Sequence, residues 1–506
     1  MKRDVVRIEL LPLGKVLRAK RGTPLQDILF LHGVEFPCGG RGRCKGCKIR
    51  ILAGSAPVTD EERQRLTAAE LADGWRLACR GYAEGDMRIE LEQWEATVLT
   101  DNSAFAFKPQ DGLGIAIDLG TTTLVAQLLD LRTAHVLGVR TALNAQGKHG
   151  ADIMSRVEFA VAGAGQGTLE RLIRKQSGGL IQDLLASAPA SPGVPLRSIV
   201  LVGNTVMHHL FCGLSLEPLS HYPFEPQSPG LQSFGSDQLG WALADKPAVW
   251  FLPCLGSFVG SDILAGVLAT RLHESDSLAA LIDLGTNGEI VVGNRERMLC
   301  ASTAAGPAFE GARISTGMRA ATGAISEVHV EAGKLRCHVL GHGPARGICG
   351  SGLVDAVAAG LALGWILPSG RLAKGDSLPL TSRVSLTQWD IRELQLAKGA
   401  IAAGLRILLE QFGAGKAALT CVYLAGAFGN YINYTSARRI GLLDFPQEKV
   451  QPAGNTALLG AKLALFDLGR QDGAYPEILA KVRHVSLNED AHFQEVFVEE
   501  MGFPAE

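Results

Sequence analysis

Near the start of the chain, apolar and polar positions alternate with the period of a half-buried strand. "VVRIEL" leads into a tight turn at Pro12-Leu13-Gly14, and two strands are expected over residues 4–19. Thr23-Pro24-Leu25-Gln26 predicts a short helix, with Thr as its cap, Pro at its first position and Gln closing the cap. "KIRILAG" reads as a strand, Thr59-Asp60-Glu61-Glu62 opens a second helix, and "MRIELE" (87–92) closes as a strand. The pattern predicts a small α+β unit over residues 1–98.

A polar stretch, "TDNSAFAFKPQDG" (100–112), follows, and residues 99–112 are expected to be a linker. Beyond it the apolar runs lengthen and repeat. "GIAIDLGTTTLVAQLLDL" (114–131) is strand, turn, strand, and "ALIDLGTNGEIVVG" (280–293) has the same form. Two such hairpins predict two similar α/β lobes, over 113–275 and 276–506. "VGNTVMHHL" (202–210) and "AGNTALLGA" (453–461) read as a further matching pair, and "YLAGAFGNY" (423–431) as a third glycine-rich turn after an apolar strand.

Composition narrows the class. The 506 residues are 47% hydrophobic and 20% charged, as in soluble globular proteins. A net charge of −2 gives no reason to expect a nucleic-acid or membrane partner. No apolar run approaches the roughly 18 residues of a membrane span, and the N-terminus lacks the apolar core of a secretion signal. Ten cysteines in this length are no disulfide framework, so a reducing cytoplasm is expected.

Four of those cysteines stand together in sequence. "PCGGRGRCKGC" (37–47) and a distant partner give Cys38-x5-Cys44-x2-Cys47-x31-Cys79. Three thiolates in a glycine-rich loop plus one remote thiolate suit a [2Fe–2S] cluster, in the spacing of adrenodoxin-type bacterial ferredoxins. A structural Zn²⁺ is the competing occupant, although zinc ribbons pair two C-x2-C knuckles and here the fourth cysteine stands alone. Arg41, Arg43, Lys45, Lys48 and Arg50 either soften the field of an anionic cluster or form a docking patch for an acidic redox partner.

The paired D-x-G-T turns carry the second chemistry. Each presents backbone N–H groups and hydroxyls to phosphate oxygens, with Gly allowing close approach. An Asp at the end of the first strand suits the hydration shell of Mg²⁺. Two such turns would pinch a triphosphate between the lobes, while "LAGAFGN" would meet the nucleoside.

This trio resembles the ASKHA superfamily of kinases, chaperones and actin. "VGNTVMHHLFCGL", "STAAGPAFEGARISTGMRAATGAI", "GICGSGLVD", "IRELQLAKGAIAAG" and "LAGAFGNYIN" resemble one branch of it, the reductive activators of corrinoid proteins, over nearly the whole chain. The fold implied is an α+β, β-grasp ferredoxin domain followed by an α/β two-lobed ASKHA domain, actin-like and built from duplicated RNase H-like halves. The activity implied is ATP-dependent one-electron reduction of Co(II) to Co(I) in a corrinoid protein. An external low-potential electron donor and a homodimer are implied with it. Larger members carry a separate middle domain, and its absence is expected here, giving a short form. Alternatives are a redox-sensing ATPase, or an ATP-driven activator of another low-potential metalloenzyme.

Roles are assigned motif by motif. Cys38, Cys44, Cys47 and Cys79 bind the cluster. Gly120, Thr121, Thr122 and Thr123 form the first phosphate loop, with Asp118 near Mg²⁺. Asp283, Gly285, Thr286, Asn287 and Gly288 form the second. Glu289 either positions the attacking water or is an ordinary strand residue. Gly426, Ala427, Gly429 and Asn430 lie against the nucleoside. Gly350, Ser351 and Gly352 either line the cleft or pack as a helix start. Asn204 and Thr205 face the phosphates or cap a helix. His208 and His209 are read as packing residues rather than ligands, and Cys300 and Cys349 as buried small apolar residues rather than a second cluster site. Phe309, Glu310 and Arg313 are proposed partner contacts.

Overall fold

A computed structural model describes the chain except residues 1–3, 12–13, 31–33, 35–41, 43–46, 92–106, 151, 164, 188–192, 286, 312, 319, 321–322, 342, 430–431, 469–473 and 506. Cys38, Cys44, Arg41, Arg43, Lys45, Thr286, Asn430 and most of the expected linker therefore lie outside the described residues.

The front unit is a five-stranded sheet. Its strands are β1 (Val5–Leu11), β2 (Lys15–Lys20), β3 (Lys48–Ala53), β4 (Trp75–Leu77) and β5 (Met87–Leu91), in the order β2-β1-β5-β3-β4. β1 and β5 run parallel while the other neighbours are antiparallel. Alternation works as the sequence implies: Val6, Ile8 and Leu10 are buried, and Val5, Arg7 and Glu9 turn outward. Each such buried side chain contributes about 1.5–3 kcal/mol. The helix Asp60–Arg65 has its predicted start, a box in which Thr59 and Glu62 exchange hydrogen bonds. Thr23 differs from expectation: its hydroxyl donates to Lys20 O at 2.7 Å.

Behind it stand two six-stranded sheets of matching topology. The first contains β6 (Leu113–Leu119), β7 (Thr123–Asp130), β8 (Val136–Leu143), β9 (Leu196–Val202), β10 (Gln232–Gly235) and β11 (Ala248–Phe251), ordered β10-β11-β9-β6-β7-β8. The second begins with β12 (Ala279–Leu284), β13 (Gly288–Gly293) and β14 (Met298–Thr303). A small sheet of β15 (Ala324–Glu331), β16 (Lys334–Val339) and β17 (Gly347–Ile348) and a hairpin of β18 (Ser377–Pro379) and β19 (Ser385–Thr387) intervene. β20 (Cys421–Ala425), β21 (Val450–Gly454) and β22 (Val482–His484) complete the order β21-β20-β12-β13-β14-β22. In each sheet an antiparallel meander of three strands is extended by two parallel strands, β9 and β11 in one, β20 and β21 in the other.

This topology corrects one sequence match. "VGNT" follows β9 and "AGNT" follows β21, which are not equivalent strands. The partner of "VGNT" is the "LAGAFGN" turn after β20. The partner of "AGNT" is the segment after β11 that leads into helix Ser261–Thr270. The two G-N-T stretches look alike because both end a strand and begin a helix, and both Asn204 and Asn455 cap it by accepting a backbone N–H.

Helices Ser261–Thr270 and Thr456–Asp467, equivalent by this pairing, cross between the lobes. Gly460 lets them touch, for a Cβ there would lie 2.1 Å from Ala265 O. Gly460→Val should therefore destabilise the lobe pair by about 1–3 kcal/mol, read as a lower urea midpoint. An unchanged midpoint would mean that the crossing has slack.

The far end of helix Thr456–Asp467 receives the chain arriving from the front unit. Phe107 rests on Phe466 with ring centroids 5.0 Å apart. Gln110 Nε2 donates to Phe466 O at 3.0 Å, and Gln110 N to Leu131 O at 3.0 Å. The end of the linker is thus fastened to both lobes.

Candidate functional site

The first D-x-G-T turn is held from behind. Asn144 Nδ2 donates to Gly120 O at 3.0 Å, and its backbone N to Thr122 O at 2.9 Å. Arg156, fully buried, donates from Nη2 to Thr121 O at 2.6 Å and from Nε to Gly150 O at 3.0 Å. With its three carbonyls occupied, the turn is left with its amide edge for an anion. Asn204 caps its helix, Oδ1 accepting from Met207 N at 3.0 Å, and its Nδ2 donates to Thr121 Oγ1 in the first turn at 2.8 Å. The second turn is anchored similarly, with Thr303 Oγ1 donating to Gly288 O at 3.0 Å and Gly285 N to Asn287 O at 3.1 Å.

Four carboxylic acids gather where the turns meet. Asp118 ends β6 and accepts from Asn455 Nδ2 at 3.0 Å. Asp283 ends β12, and Gly426 lies against it so closely that a Cβ would sit 2.6 Å from Asp283 Oδ1. Asp262 opens helix Ser261–Thr270, whose start is sewn to the end of β9 by Ser261 Oγ donating to Gly203 O at 3.1 Å. Glu289 follows on β13, buried, with a hydrogen bond from the Asn287 side chain. Loss of water raises every one of them. Asp118 rises to about 6, Asp283 to about 7 with Asp118 adding repulsion, and Asp262 to about 8 with Asp283 and Asp118 adding theirs. Glu289 is raised too, by burial and then by Asp262 and Asp283. A like-charged group of this kind is relieved by a cation, which a nucleotide's phosphates also need to balance their own charge. Among the described residues no three His, Cys, Asp or Glu side chains stand close enough to ligate a bare metal ion. The arrangement suits a hydrated Mg²⁺ carried in with its nucleotide.

In the front unit, the antiparallel pairing of β3 with β4 matches Lys48 with Leu77 and so brings Cys47 beside the turn that holds Cys79. Ala78 N donates to Cys47 O at 2.9 Å. Cys47 is buried and Cys79 half-buried. Gly42, at φ +68°, lies at the Nε and Nη2 edge of the Arg80 guanidinium, and the buried Nε of Arg80 has no hydrogen-bond partner among the described residues. Two neighbouring thiols and an unsatisfied donor beside a glycine loop fit a sulfide-bearing cluster. The basic run needs correction. Lys48 pairs with Glu70 at 3.0 Å and lies over the Trp75 ring, while Arg50 pairs with Asp73 and with Glu90, the latter at 3.5 Å. Strand alternation puts both on one face of β3 beside acids, so neither stands as open charge for a docking partner.

Comparison with known proteins agrees with this geometry. Residues 8–84 match the 2Fe-2S iron-sulfur cluster binding domain, 113–275 the RACo middle region, and 277–506 the C-terminal domain of RACo, the ASKHA domain. The corrinoid activation enzyme RamQ of Eubacterium limosum is 34% identical over 417 residues, covering 76% of this chain and 69% of its own. The chain belongs to the RACo family. A Co(II) methylated amine-specific corrinoid protein reductase of Methanosarcina barkeri is 27% identical over 434 residues, covering 77% of each. A solved reductive activator for corrinoid, iron-sulfur protein superposes with a TM-score of 0.69 at 28% identity, over 99% of this chain and 98% of that one. The RACo middle region is present, so the expected short form without it is wrong. Residues 113–275 read as the first half of a duplicated fold, and that half is what the family counts as its middle region.

The remaining RACo residues fall into place around these sites. Gly350 and Gly352 press on the backbone of Phe309 and Ile325, and Ser351 Oγ donates to Ser326 O at 2.9 Å, so their contacts are packing within the second lobe. His208 and His209 are fully buried in the first lobe, where loss of water lowers both, His208 to about 3. Cys300 is buried on β14, which pushes its thiol up to about 12, and Cys349 is buried at a helix start. Phe309 is a correction: it is buried and stacked on Phe428 at 4.6 Å, so it is not a surface contact for a partner, whereas Arg313 is exposed. Asp262, Asn144, Arg156 and Asn455 carried no role in the sequence reading. Only Asn455 stood in a quoted motif. No helix among the described residues is long and apolar enough to cross a membrane.

Proposed function

We propose that this chain returns the cobalt of a corrinoid protein from Co(II) to Co(I), one electron at a time, at the expense of ATP. What carries the reading is one chain that joins two thiols at neighbouring strand ends to a two-lobed cleft floored by carboxylates. The relatives named above for corrinoid activation and reduction support the choice of substrate.

A [2Fe–2S] cluster, when bound, supplies one-electron storage. Cys38, Cys44, Cys47 and Cys79 would hold it, and an external low-potential donor would refill it. Co(I) is a strong reductant, so transfer to cobalt is uphill for an ordinary ferredoxin. For one electron, about 59 mV corresponds to about 1.4 kcal/mol, so a few kcal/mol of coupling decides the direction. ATP supplies this only if the closed lobes bind the two states of the corrinoid protein unequally.

The chain's own residues set up the nucleotide step. Gly120, Thr121, Thr122 and Thr123 on one side and Gly285, Thr286, Asn287 and Gly288 on the other grip the phosphates. Asp118 and Asp283 would hold a hydrated Mg²⁺ brought in with the nucleotide, and Glu289 would position the attacking water. Gly426, Ala427, Gly429 and Asn430 border the nucleoside end.

Mixing the anaerobically reduced protein, Mg·ATP and a Co(II) corrinoid protein should produce the absorption band of Co(I), and omitting ATP should prevent it. A protein that hydrolyses ATP yet leaves the Co(II) spectrum unchanged with every corrinoid partner tried would overturn the assignment.

A further inference from the structure

We propose that Trp365 and Trp389, with the unpaired cations around them, form the face that docks an acidic surface of the corrinoid protein, an inference that rests on the functional reading above. Both indoles lie open on the second lobe, 40% and 63% exposed. Trp is seldom left so uncovered, and Trp and Arg are enriched among the residues that anchor protein interfaces. Neither ring sits on loose chain. The helix Gln388–Phe412 starts in a box in which Thr387 and Asp390 exchange hydrogen bonds. Ser315 N also donates to Asp390 Oδ1, at 2.7 Å, and so ties the segment of exposed Arg313 to the same helix start. Residues 365–373 form a short hairpin, closed by Ala373 N donating to Trp365 O at 2.9 Å. Two glutamines of the helix clamp it. Gln388 Nε2 donates to Gly370 O at 2.8 Å and its Oε1 accepts from Leu372 N at 3.0 Å, while Gln395 Nε2 donates to Ser369 O at 3.1 Å. The face is therefore in place before a partner arrives, and little ordering opposes binding.

Its charge selects the partner. Between residues 365 and 392 the cations Arg371, Lys374, Arg383 and Arg392 are all exposed, and none is in an ion pair among the described residues. The acids of that stretch are Asp376, which is exposed, and Asp390, which is buried in the hydrogen bonds just named. Aromatic anchors ringed by free cations suit an acidic protein surface. The place in the fold narrows the choice further, because the same helix reaches the second phosphate turn. A Cβ on Gly288 would lie 2.7 Å from Ile401 Cγ1, and one on Gly404 2.5 Å from Cγ2 of Thr303, whose hydroxyl anchors that turn. Trp389 and Ile401 are twelve residues apart on one helix, a rise of about 18 Å. ATP favours Co(I) only through lobes that hold two states of the corrinoid protein unequally, and this helix joins a docking face to a phosphate turn. An electron donor, which would serve the front unit, has no such need of the lobes.

The test is calorimetric titration of the full-length protein, in Mg·ATP, with a Co(II) corrinoid protein, alongside the oligomeric state of each variant. Trp389→Ala should weaken binding about 30-fold. The KM for the corrinoid protein in Co(I) formation should rise by a similar factor. Its thermal unfolding midpoint should stay near the parent's, since the ring is exposed. Arg392→Glu should weaken binding about tenfold at low salt and flatten the parent's salt dependence. Should Trp389→Ala fail to fold, Trp365→Ala takes its place with the same expected loss. Parent-like affinity in either the tryptophan or the arginine variant overturns the inference and leaves the functional reading standing. A lost affinity that comes with dissociation of parent dimers into monomers overturns it too, for the face would then join two copies. So does a parent affinity indifferent to salt. A parent that binds no Co(II) corrinoid protein overturns the functional reading and this inference together.

Discussion

A Cys79→Ala protein is expected to hydrolyse ATP at close to the parent rate and to reduce no cobalt above the blank. Cys79 sits in the turn that follows β4 of the front sheet, next to Ala78, whose N–H is bonded to Cys47 O. None of the residues that anchor the phosphate turns comes from that unit. Cys79 only packs against the edge of the apolar strand core of Val6, Ile8, Leu10, Ile49, Leu77 and Ile89, and alanine keeps its Cβ there, so the fold should survive the substitution. Visible absorption of the cluster and cobalt reduction should vanish together, while phosphate release continues. Retained cobalt reduction in this variant would separate the thiols from electron transfer and sink the proposed route.

Raising the pH is expected to weaken the nucleotide-free protein, and Asp283→Asn to remove much of that slope together with ATP turnover. An unfolded Asp titrates near 3.9. In the fold Asp118 sits at about 6, Asp283 at about 7 and Asp262 at about 8. Between these limits the folded state binds more protons than the unfolded one, so stability falls as pH rises from about 4 to about 8. Asn at position 283 removes one charge and relieves Asp262 and Glu289, both of which feel Asp283. Thermal unfolding midpoints from pH 5 to 8.5 should fall in the parent and fall less in the variant. On the proposed role of Asp283 beside Mg²⁺, turnover should also drop, on the order of 10²-fold. Leaving Mg²⁺ out should cost the parent as much. Equal slopes in both proteins would show that the acids do not repel one another.

What could be read from the sequence was whatever sits in a continuous motif. The two hairpins around Asp118 and Asp283 announce themselves because strand, turn and carboxylate are consecutive. Their supports do not. Asn144 and Arg156 reach Gly120 and Thr121 from segments with no motif of their own, brought there by the β8 connection and the helix that follows it. Asp262 joins the acidic group where Ser261, at the start of its helix, is tied to Gly203 at the end of β9. The likeness of the two G-N-T stretches misled, since Asn is a favoured cap at any helix start and marks no particular strand. Phe309 misled in the opposite way. An apolar residue in a loop looks like a contact surface until a partner such as Phe428 is found inside the same lobe. The basic residues after Cys47 looked like one patch in linear order, and strand alternation distributed Lys48 and Arg50 to acids of their own.

The fastening of Phe107 and Gln110 has a consequence for concentration. From Leu91, where the front sheet ends, to Phe107 is a path of sixteen peptide steps, which reaches at most about 55 Å. Wherever the iron-sulfur unit moves, it stays within that radius of the helix that also bears Asn455. One molecule confined to such a sphere counts as on the order of 2 mM. Delivery of the electron toward the lobes is then a first-order event, unaffected by diluting the protein, and the unit needs no affinity of its own for them. Only the corrinoid partner has to find the chain by diffusion.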